Sequence, residues 1–180
     1  MHGFFTRREE FAKSVIQPTQ LDCIRDSGGQ NMNQNDATNV VEELIDTCEN
    51  GVKGYKDAAE NTKRSDLKAL FLEQSSERAQ FVRELQAALT KLGQTAKKES
   101  GSVGGAIHRA WIDTKVTLGG GDHAILESIE SGEDKAKEAY EKALSAPSLP
   151  PETADLIRRQ AQRILTVHDR VRSLRDGFAA

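Results

Sequence analysis

The stretch LKALFLEQSSERAQFVREL, residues 67–85, decides the fold. Its apolar side chains recur every three or four residues, the spacing that places them on one face of an α-helix. At the centre of that face stand Gln74, Ser75 and Arg78, where apolar residues are expected to recur. The complete stripe is Leu67, Phe71, Ser75, Arg78, Val82, Leu85, Leu89 and Leu92. The stretch therefore predicts a long packed helix with a polar layer at its mid-length.

Three further stretches repeat this one-faced pattern. The sequence predicts four long helices, at about residues 38–61, 65–92, 122–145 and 152–176. The stripes of the first, third and fourth helices are Val41, Leu44, Cys48, Val52, Tyr55 and Ala59; Leu126, Ile129, Glu133, Ala136, Tyr140 and Ala143; and Ile157, Ala161, Ile164, His168, Val171 and Leu174. Each helix has one apolar face to bury, which is typical of a bundle.

Helix-breaking residues between these stretches set how the helices connect. Ser65 and Asp66 are expected to cap the start of helix 2, and Gly93 to end it in a left-handed conformation. The prolines of APSLPPE, residues 146–152, separate helices 3 and 4. Because both joints are short, each pair of helices is expected to form antiparallel neighbours.

Residues 94–121 make a much longer connection between helices 2 and 3. The polar, glycine-bearing segment GQTAKKESGSVGG is followed by AIHRAWIDTKVTL, which has helical character. A connection of this length can travel the full length of a bundle, which a short turn cannot. The sequence therefore predicts an all-α, ferritin-like up-down-down-up four-helix bundle with a long, partly helical crossover between helices 2 and 3.

The first 36 residues differ from the rest. The run DSGGQNMNQND, residues 26–36, contains turn formers and amides without a helical period. We expect residues 1–36 to be a disordered or weakly helical tail, and residues 37–178 to form the bundle. Met32 stands just before the periodic part, which raises the hypothesis that natural translation starts there.

Composition excludes several classes of protein. Charged residues make up 29% of the chain and aromatic residues 5%, a balance that suits helices with solvated faces. The net charge is -3 with basic and acidic residues interspersed, so no nucleic-acid partner is expected. No membrane is expected either, because no run of 18 apolar residues occurs. Cys23 and Cys48 have no zinc-finger or disulfide spacing, which favours a reducing cytoplasm.

The polar interruptions of the four stripes cluster near the helix midpoints. We predict a buried polar layer of Gln74, Arg78, Glu133 and His168. An unpaired charge in a core is costly, so Arg78 is expected to form a bidentate ion pair with Glu133 first, or Glu130 second. His168 is expected to hydrogen-bond at the edge of this layer.

A di-iron or di-manganese centre is the alternative use of the same layer. Such a centre takes a Glu from each of two helices and Glu-x-x-His from each of the other two. Here Glu77 is followed at that spacing by Gln80, and His168 is preceded by Leu165. Arg78 would also repel a cation. No cofactor and no catalytic residue are therefore expected; if iron or manganese binds, the candidate ligands are Glu77, Glu130, Glu133 and His168.

Several segments together resemble a known bacterial family. They are GVKGYKDAAE, LKALFLEQSSERAQFVRELQ, SGSVGGAIHRAWIDTK, ESGEDKAKEAYEKAL and VHDRVRSLRD, within residues 38–178. The chain resembles a ferritin-like four-helix-bundle family that carries a domain-of-unknown-function label. The resemblance implies a fold and a bacterial, cytoplasmic setting, but no reaction.

Two functional hypotheses follow. The first is a non-enzymatic bundle that acts through a protein partner or self-association, with a role in stress adaptation suggested by analogy to ferritin-like proteins. The second is a metal-binding or redox protein with a non-standard ligand set.

Overall fold

A computed structural model describes residues 19–94 and 121–178, with side chains described from residue 35 onward. It contains four helices, α1 (Thr19–Asn61), α2 (Ser65–Lys91), α3 (Gly121–Leu144) and α4 (Pro151–Phe178). No strand occurs in these residues. The predicted all-helical, four-helix architecture is therefore confirmed.

The predicted boundaries of α2, α3 and α4 agree with the structure to within two residues, but that of α1 does not. α1 begins at Thr19 instead of near residue 38, so residues 26–36 are helical rather than a loop. Glycine and asparagine in a helix cost up to about 1 kcal/mol each, but only proline reliably stops a helix. No proline occurs between Pro18 and Pro147, so nothing in this part of α1 forbids helical backbone.

The residue predicted to cap the start of α2 is wrong, whereas the glycine predicted to end the helix is confirmed. At its start the capping residue is Arg64, which makes no side-chain cap hydrogen bond, so the predicted capping role of Ser65 is wrong. At its end the prediction is confirmed, because Gly93 has φ 79°. The Gly93 amide donates to the Thr90 carbonyl and the Gln94 amide to the Leu89 carbonyl, the two bonds of a Schellman motif.

Contacts between helix ends define the directions of the helices. Thr62 at the end of α1 donates to Asp122 at the start of α3 over 2.6 Å. Lys91 at the end of α2 forms an ion pair with Glu152 at the start of α4. α1 and α3 are therefore antiparallel, as are α2 and α4, and α2 and α3 point the same way. The ferritin-like crossover stays a prediction, because residues 95–120 lie outside the described residues.

The core consists of two apolar clusters along the bundle axis. The first cluster contains Leu44, Leu85, Tyr140 and Ile164, and the second contains Phe71, Leu126, Ile129 and Val171. Along α2, the first cluster begins at Phe81 and the second ends at Phe71. Gln74, Ser75 and Arg78 lie between these two positions on α2. A polar layer therefore separates the two apolar clusters of the core.

Candidate functional site

The centre of the bundle holds an ion pair between α2 and α3. The side chains of Arg78 and Glu133 are only 2% and 4% exposed, and Nη2 of Arg78 lies 2.7 Å from Oε1 and 2.6 Å from Oε2 of Glu133. The structure thus contains the pair expected from the sequence. Its geometry differs from the expected fork, because one nitrogen contacts both oxygens while Nη1 has no hydrogen-bond partner among the described side chains. Burial is the largest single effect and opposes the guanidinium charge, but the Glu133 carboxylate together with the Tyr55 and Cys48 side chains outweighs it, so the pKa of Arg78 is raised.

α1 contributes a third member to this central group. The hydroxyl of Tyr55 donates to Oε1 of Glu133 over 2.8 Å. Burial and the negative charge of Glu133 raise the pKa of Tyr55 well above its usual value, so the phenol stays protonated and keeps donating. Arg78, Glu133 and Tyr55 therefore join three helices through one carboxylate, and we call these residues the central triad.

A glycine on α1 makes room for the arginine. A Cβ atom added at Gly51 would lie 3.3 Å from Cγ and 3.4 Å from Cδ of Arg78. The first of these distances is tighter than ordinary van der Waals contact, and the second is at its lower limit. The absence of a side chain at Gly51 thus lets the stem of Arg78 lie against the backbone of α1, which explains a glycine inside a long helix despite its helix-weakening effect.

A second polar chain crosses the first apolar cluster and touches all four helices. Tyr140 on α3 donates to Oε1 of Gln160 on α4 over 2.7 Å, and Nε2 of Gln160 donates to Glu84 on α2 over 2.8 Å. Sγ of Cys48 on α1 lies 3.1 Å from the Tyr140 hydroxyl. Because that hydroxyl proton is given to Gln160, the thiol of Cys48 is the donor to Tyr140. We call Cys48, Tyr140, Gln160 and Glu84 the crossing chain.

The thiol in this chain is not suited to nucleophilic chemistry. Burial raises the pKa of Cys48 to about 11, an effect that its contact with Tyr140 only partly offsets. A thiolate is the reactive form of cysteine, and it would be scarce here at neutral pH. This agrees with Cys48 serving as a small core residue on the α1 seam.

The remaining candidate ligands are held apart from the central triad by other partners. Glu77 accepts from Nε of Arg163 over 2.8 Å, and Glu130 forms an ion pair with Arg175. His168 on α4 was expected at the edge of the layer with Arg78 and Glu133. Instead, its two ring nitrogens each lie 3.0 Å from a carboxylate oxygen, one of Asp134 and one of Asp169.

The fourth predicted member of the layer, Gln74, is buried with 3% exposure. Its Oε1 has no hydrogen-bond partner among the described residues. Gln74 therefore lies in the polar layer without joining the central triad. Within residues 35–94 and 121–178, no group of three or more His, Cys, Asp or Glu side chains is arranged to hold a metal ion.

Sequence reasoning missed the roles of Tyr55, Gln160 and Glu84. The periodic pattern predicts Tyr55 only as a packing residue in the apolar stripe of α1. Gln160 lies three residues after Ile157 and four before Ile164, so it shares their face of α4. The signal for Gln160 was therefore present, whereas the contact between Gln160 and Glu84 depends on how two separate helices pack.

These features define an all-helical bundle whose buried centre is organised by an arginine–carboxylate pair. A model of the family described as "Domain of unknown function (DUF2383)" matches residues 36–146. This match covers more than half of the chain, and the chain belongs to that family. No curated protein matches the sequence. In the described part of the chain, no helix is both long and apolar enough to cross a membrane.

Proposed function

We propose that this protein is a non-enzymatic, ferritin-like helical bundle of the bacterial cytoplasm that acts through contacts with a protein partner or with itself. The observation that carries the proposal is the state of Glu133, the carboxylate at the centre of the bundle. Its two oxygens already contact Arg78, and one of them also accepts from Tyr55. The central polar layer is thus used to hold helices together.

The pairing of Glu133 with Arg78 also disfavours a metal ion at the centre of the bundle. A cation bound by Glu133 would have to displace, or lie beside, the guanidinium of Arg78, and like charges repel at such distances. Glu77 and Glu130 are likewise paired with Arg163 and Arg175. Each of the three candidate carboxylates therefore has an arginine as its partner, which favours a structural role over iron or manganese binding.

The outer surface is then the place where function is expected. Leu72 on α2 and Leu165 on α4 are 49% and 47% exposed, the largest exposed fractions among large apolar side chains of the described residues. Apolar side chains that stay in water are candidates for contact with another protein, although single ones also occur on ordinary surfaces. By analogy with ferritin-like proteins, we propose a role in stress adaptation.

The test uses the full chain purified without chelators. Metal content by mass spectrometry and sedimentation velocity at several concentrations are measured on the same sample. We expect less than stoichiometric iron or manganese, together with self-association or a partner captured from the native host. A double variant, Leu72→Ser with Leu165→Ser, should keep the thermal midpoint and lose the contact.

Two results would contradict the proposal. Stoichiometric iron or manganese that disappears in a Glu133→Gln variant would favour the metal-binding alternative. Turnover of dioxygen or peroxide by the purified protein would remove the non-enzymatic assignment. Self-association that survives the double variant would leave the contact model but move its surface away from Leu72 and Leu165.

A further inference from the structure

The side of α1 that faces away from the bundle core is buried along part of its length. Cys48 and Tyr55 of α1 point into the core and are 1% and 2% exposed. Asn50 follows Cys48 by two residues, which places it about 200° further round the helix. Asn50 is nevertheless only 7% exposed, and Gly54, one turn further along, is also buried. A part of α1 that is expected to face water is therefore covered.

Two half-buried aspartates continue this covered side along the helix. Asp46 lies one turn before Asn50, and Asp57 lies one turn after Gly54. We call Asp46, Asn50, Gly54 and Asp57 the outer stripe. Lys53, which lies beside the stripe on α1, is exposed. The cover is thus confined to a narrow strip of the helix surface.

The helix beside α1 on this flank, α3, does not supply the cover. Asn50 lines a groove between α1 and α3 together with Gly132 of α3. Glu43 precedes Asn50 by seven residues, which is about two helical turns, so it lies on the same side of α1. Glu43 pairs with Lys142 of α3 over 3.0 Å, yet their side chains are 41% and 71% exposed. Even where α3 reaches this side of α1, it leaves that side open to water.

The connection between α2 and α3 has to run along the bundle from one end to the other. α2 ends beside the start of α4, where Lys91 pairs with Glu152. α3 starts at the opposite end, where Asp122 accepts from Thr62 at the end of α1. α2 has 27 residues and is therefore about 40 Å long. Residues 95–120 must cover a comparable distance along the outside of the bundle.

The bundle offers two flanks to this connection, one between α1 and α3 and one between α2 and α4. On the second flank, the side chains of Lys91, Glu152 and Arg163 take part in ion pairs between the helices and are 66%, 77% and 57% exposed. That flank is therefore open to water. The buried outer stripe lies on the first flank, so the path of the chain and the pattern of burial favour the same place.

We propose that residues 95–120 pack lengthwise against α1 over the outer stripe, on the flank between α1 and α3. The charges are complementary, because the stripe contains two aspartates and the connection contains four basic residues against two acidic ones: Lys97, Lys98, Arg109 and Lys115 against Glu99 and Asp113. Gly54 has no side chain, so another segment can approach the backbone of α1 closely there. Ile107 and Trp111 stand at helical spacing and supply apolar contact.

Limited trypsin digestion of the full chain tests this packing. Trypsin cuts after Arg109 and Lys115, and mass spectrometry identifies each cut. At low protease concentration, the rate of cutting follows the population in which the connection has left the bundle. Gly54→Glu places a charge in the centre of the buried stripe, where an unpaired charge is costly. We expect it to speed cutting at least about tenfold, which corresponds to about 1.4 kcal/mol.

Two further variants complete the digestion experiment. Ala87→Glu is the matched control, because Ala87 is exposed on the α2–α4 flank, and the cutting rate should stay that of the wild type. If Gly54→Glu loses its helical circular dichroism, the double variant Asp46→Asn with Asp57→Asn replaces it. This variant keeps the shape of both side chains and removes their charge, so cutting should become at least about twofold faster.

A reciprocal measurement identifies the segment that covers the stripe. In a Cys23→Ser background, the thiol of an Asn50→Cys variant should react slowly with a thiol reagent. Adding Ile107→Ser with Trp111→Ser should speed that reaction, because these changes weaken the apolar contact of the connection. Changing two apolar residues of the N-terminal segment instead, by Phe5→Ser with Phe11→Ser, should leave the rate unchanged. The rate should also be independent of protein concentration.

Several results would overturn the proposal. Faster cutting in Ala87→Glu than in Gly54→Glu would place the connection on the α2–α4 flank. Faster labelling after the two phenylalanine changes would show that the N-terminal segment covers the stripe. Labelling that slows as protein concentration rises would assign the cover to a second copy of the chain. Metal content and a contact through Leu72 and Leu165 are unaffected by these outcomes, so this inference fails separately from the proposed function.

Discussion

The interaction between Arg78 and Glu133 can be tested by a double-mutant cycle. In the Arg78→Leu variant, Glu133 would remain buried with the Tyr55 hydroxyl as its one remaining partner in the central triad. Removing one member of a buried pair costs about 3–5 kcal/mol, because the other charge is left uncompensated. For a chain of this length, about 1 kcal/mol shifts the thermal midpoint by roughly 2–4 °C, so the expected fall is roughly 6–20 °C.

The double variant behaves differently. Arg78→Leu with Glu133→Leu removes both charges, and replacing a buried pair with apolar residues of similar volume is often neutral or stabilising. It leaves the Tyr55 hydroxyl without its acceptor, which costs about 1–3 kcal/mol. Adding Tyr55→Phe should recover most of that loss. The triple variant is therefore expected to be more stable than either single variant of the ion pair.

The assay is urea unfolding at pH 7, followed by circular dichroism at 222 nm, on the wild type and each variant. Arg158→Leu is the matched control, because the side chains of Arg158 and Asp155 are 56% and 62% exposed in their ion pair and such pairs contribute about 1 kcal/mol or less. If the two single changes at Arg78 and Glu133 add up to the cost of the double variant, the pair does not act as a coupled unit and our account of the polar layer is wrong.

Three further predictions concern single positions. Gly51→Ala should destabilise the protein by about 1 kcal/mol, since crowding against the buried arginine outweighs the gain in helix propensity; Gly177→Ala, with nothing within 4 Å, should be neutral or slightly stabilising in the same urea assay. Gly93→Ala should cost about 1 kcal/mol because φ there is +79°, and a thermal midpoint equal to wild type would contradict this. In a Cys23→Ser background, the Cys48 thiol of the folded protein should react with a thiol reagent at pH 8 much more slowly than the Cys48 thiol of protein unfolded in urea. Its pKa is raised in the folded state from 9.0 to about 11, so stability should fall as pH rises through that window, with a shallower fall in Cys48→Ala.

Patterns within one helix were enough to predict most of the architecture. The stripe of α3 is entirely buried, from Leu126 through Glu133 to Ala143, because helical periodicity depends only on local spacing. The inward position of Arg78 followed from the same rule. The start of α1 did not follow, because turn-forming residues weaken a helix without forbidding it.

Contacts between helices were harder to predict. The pairing of Arg78 with Glu133 could be inferred because these were the opposite charges at mid-height on neighbouring faces. The partners of His168 could not, since Asp134 and Asp169 are exposed carboxylates with no special place in the periodic pattern. The contact of one Arg78 nitrogen with both oxygens of Glu133 depends on how closely separate helices approach, which the sequence does not specify.

The last helix of the bundle, α4, lies outside the residues that the family model matches. The match ends at residue 146, before α4 begins at Pro151. Yet Ile157, Ile164 and Val171 of α4 are completely buried, with 0% exposure, in both apolar clusters. Without α4, the faces of α2 and α3 that these side chains cover would be exposed to water, and Tyr140 would lose its acceptor Gln160. We therefore predict that the unit that folds in this chain extends through α4, beyond the residues that the family model matches, because the side chains of α4 cover the apolar faces of the other helices.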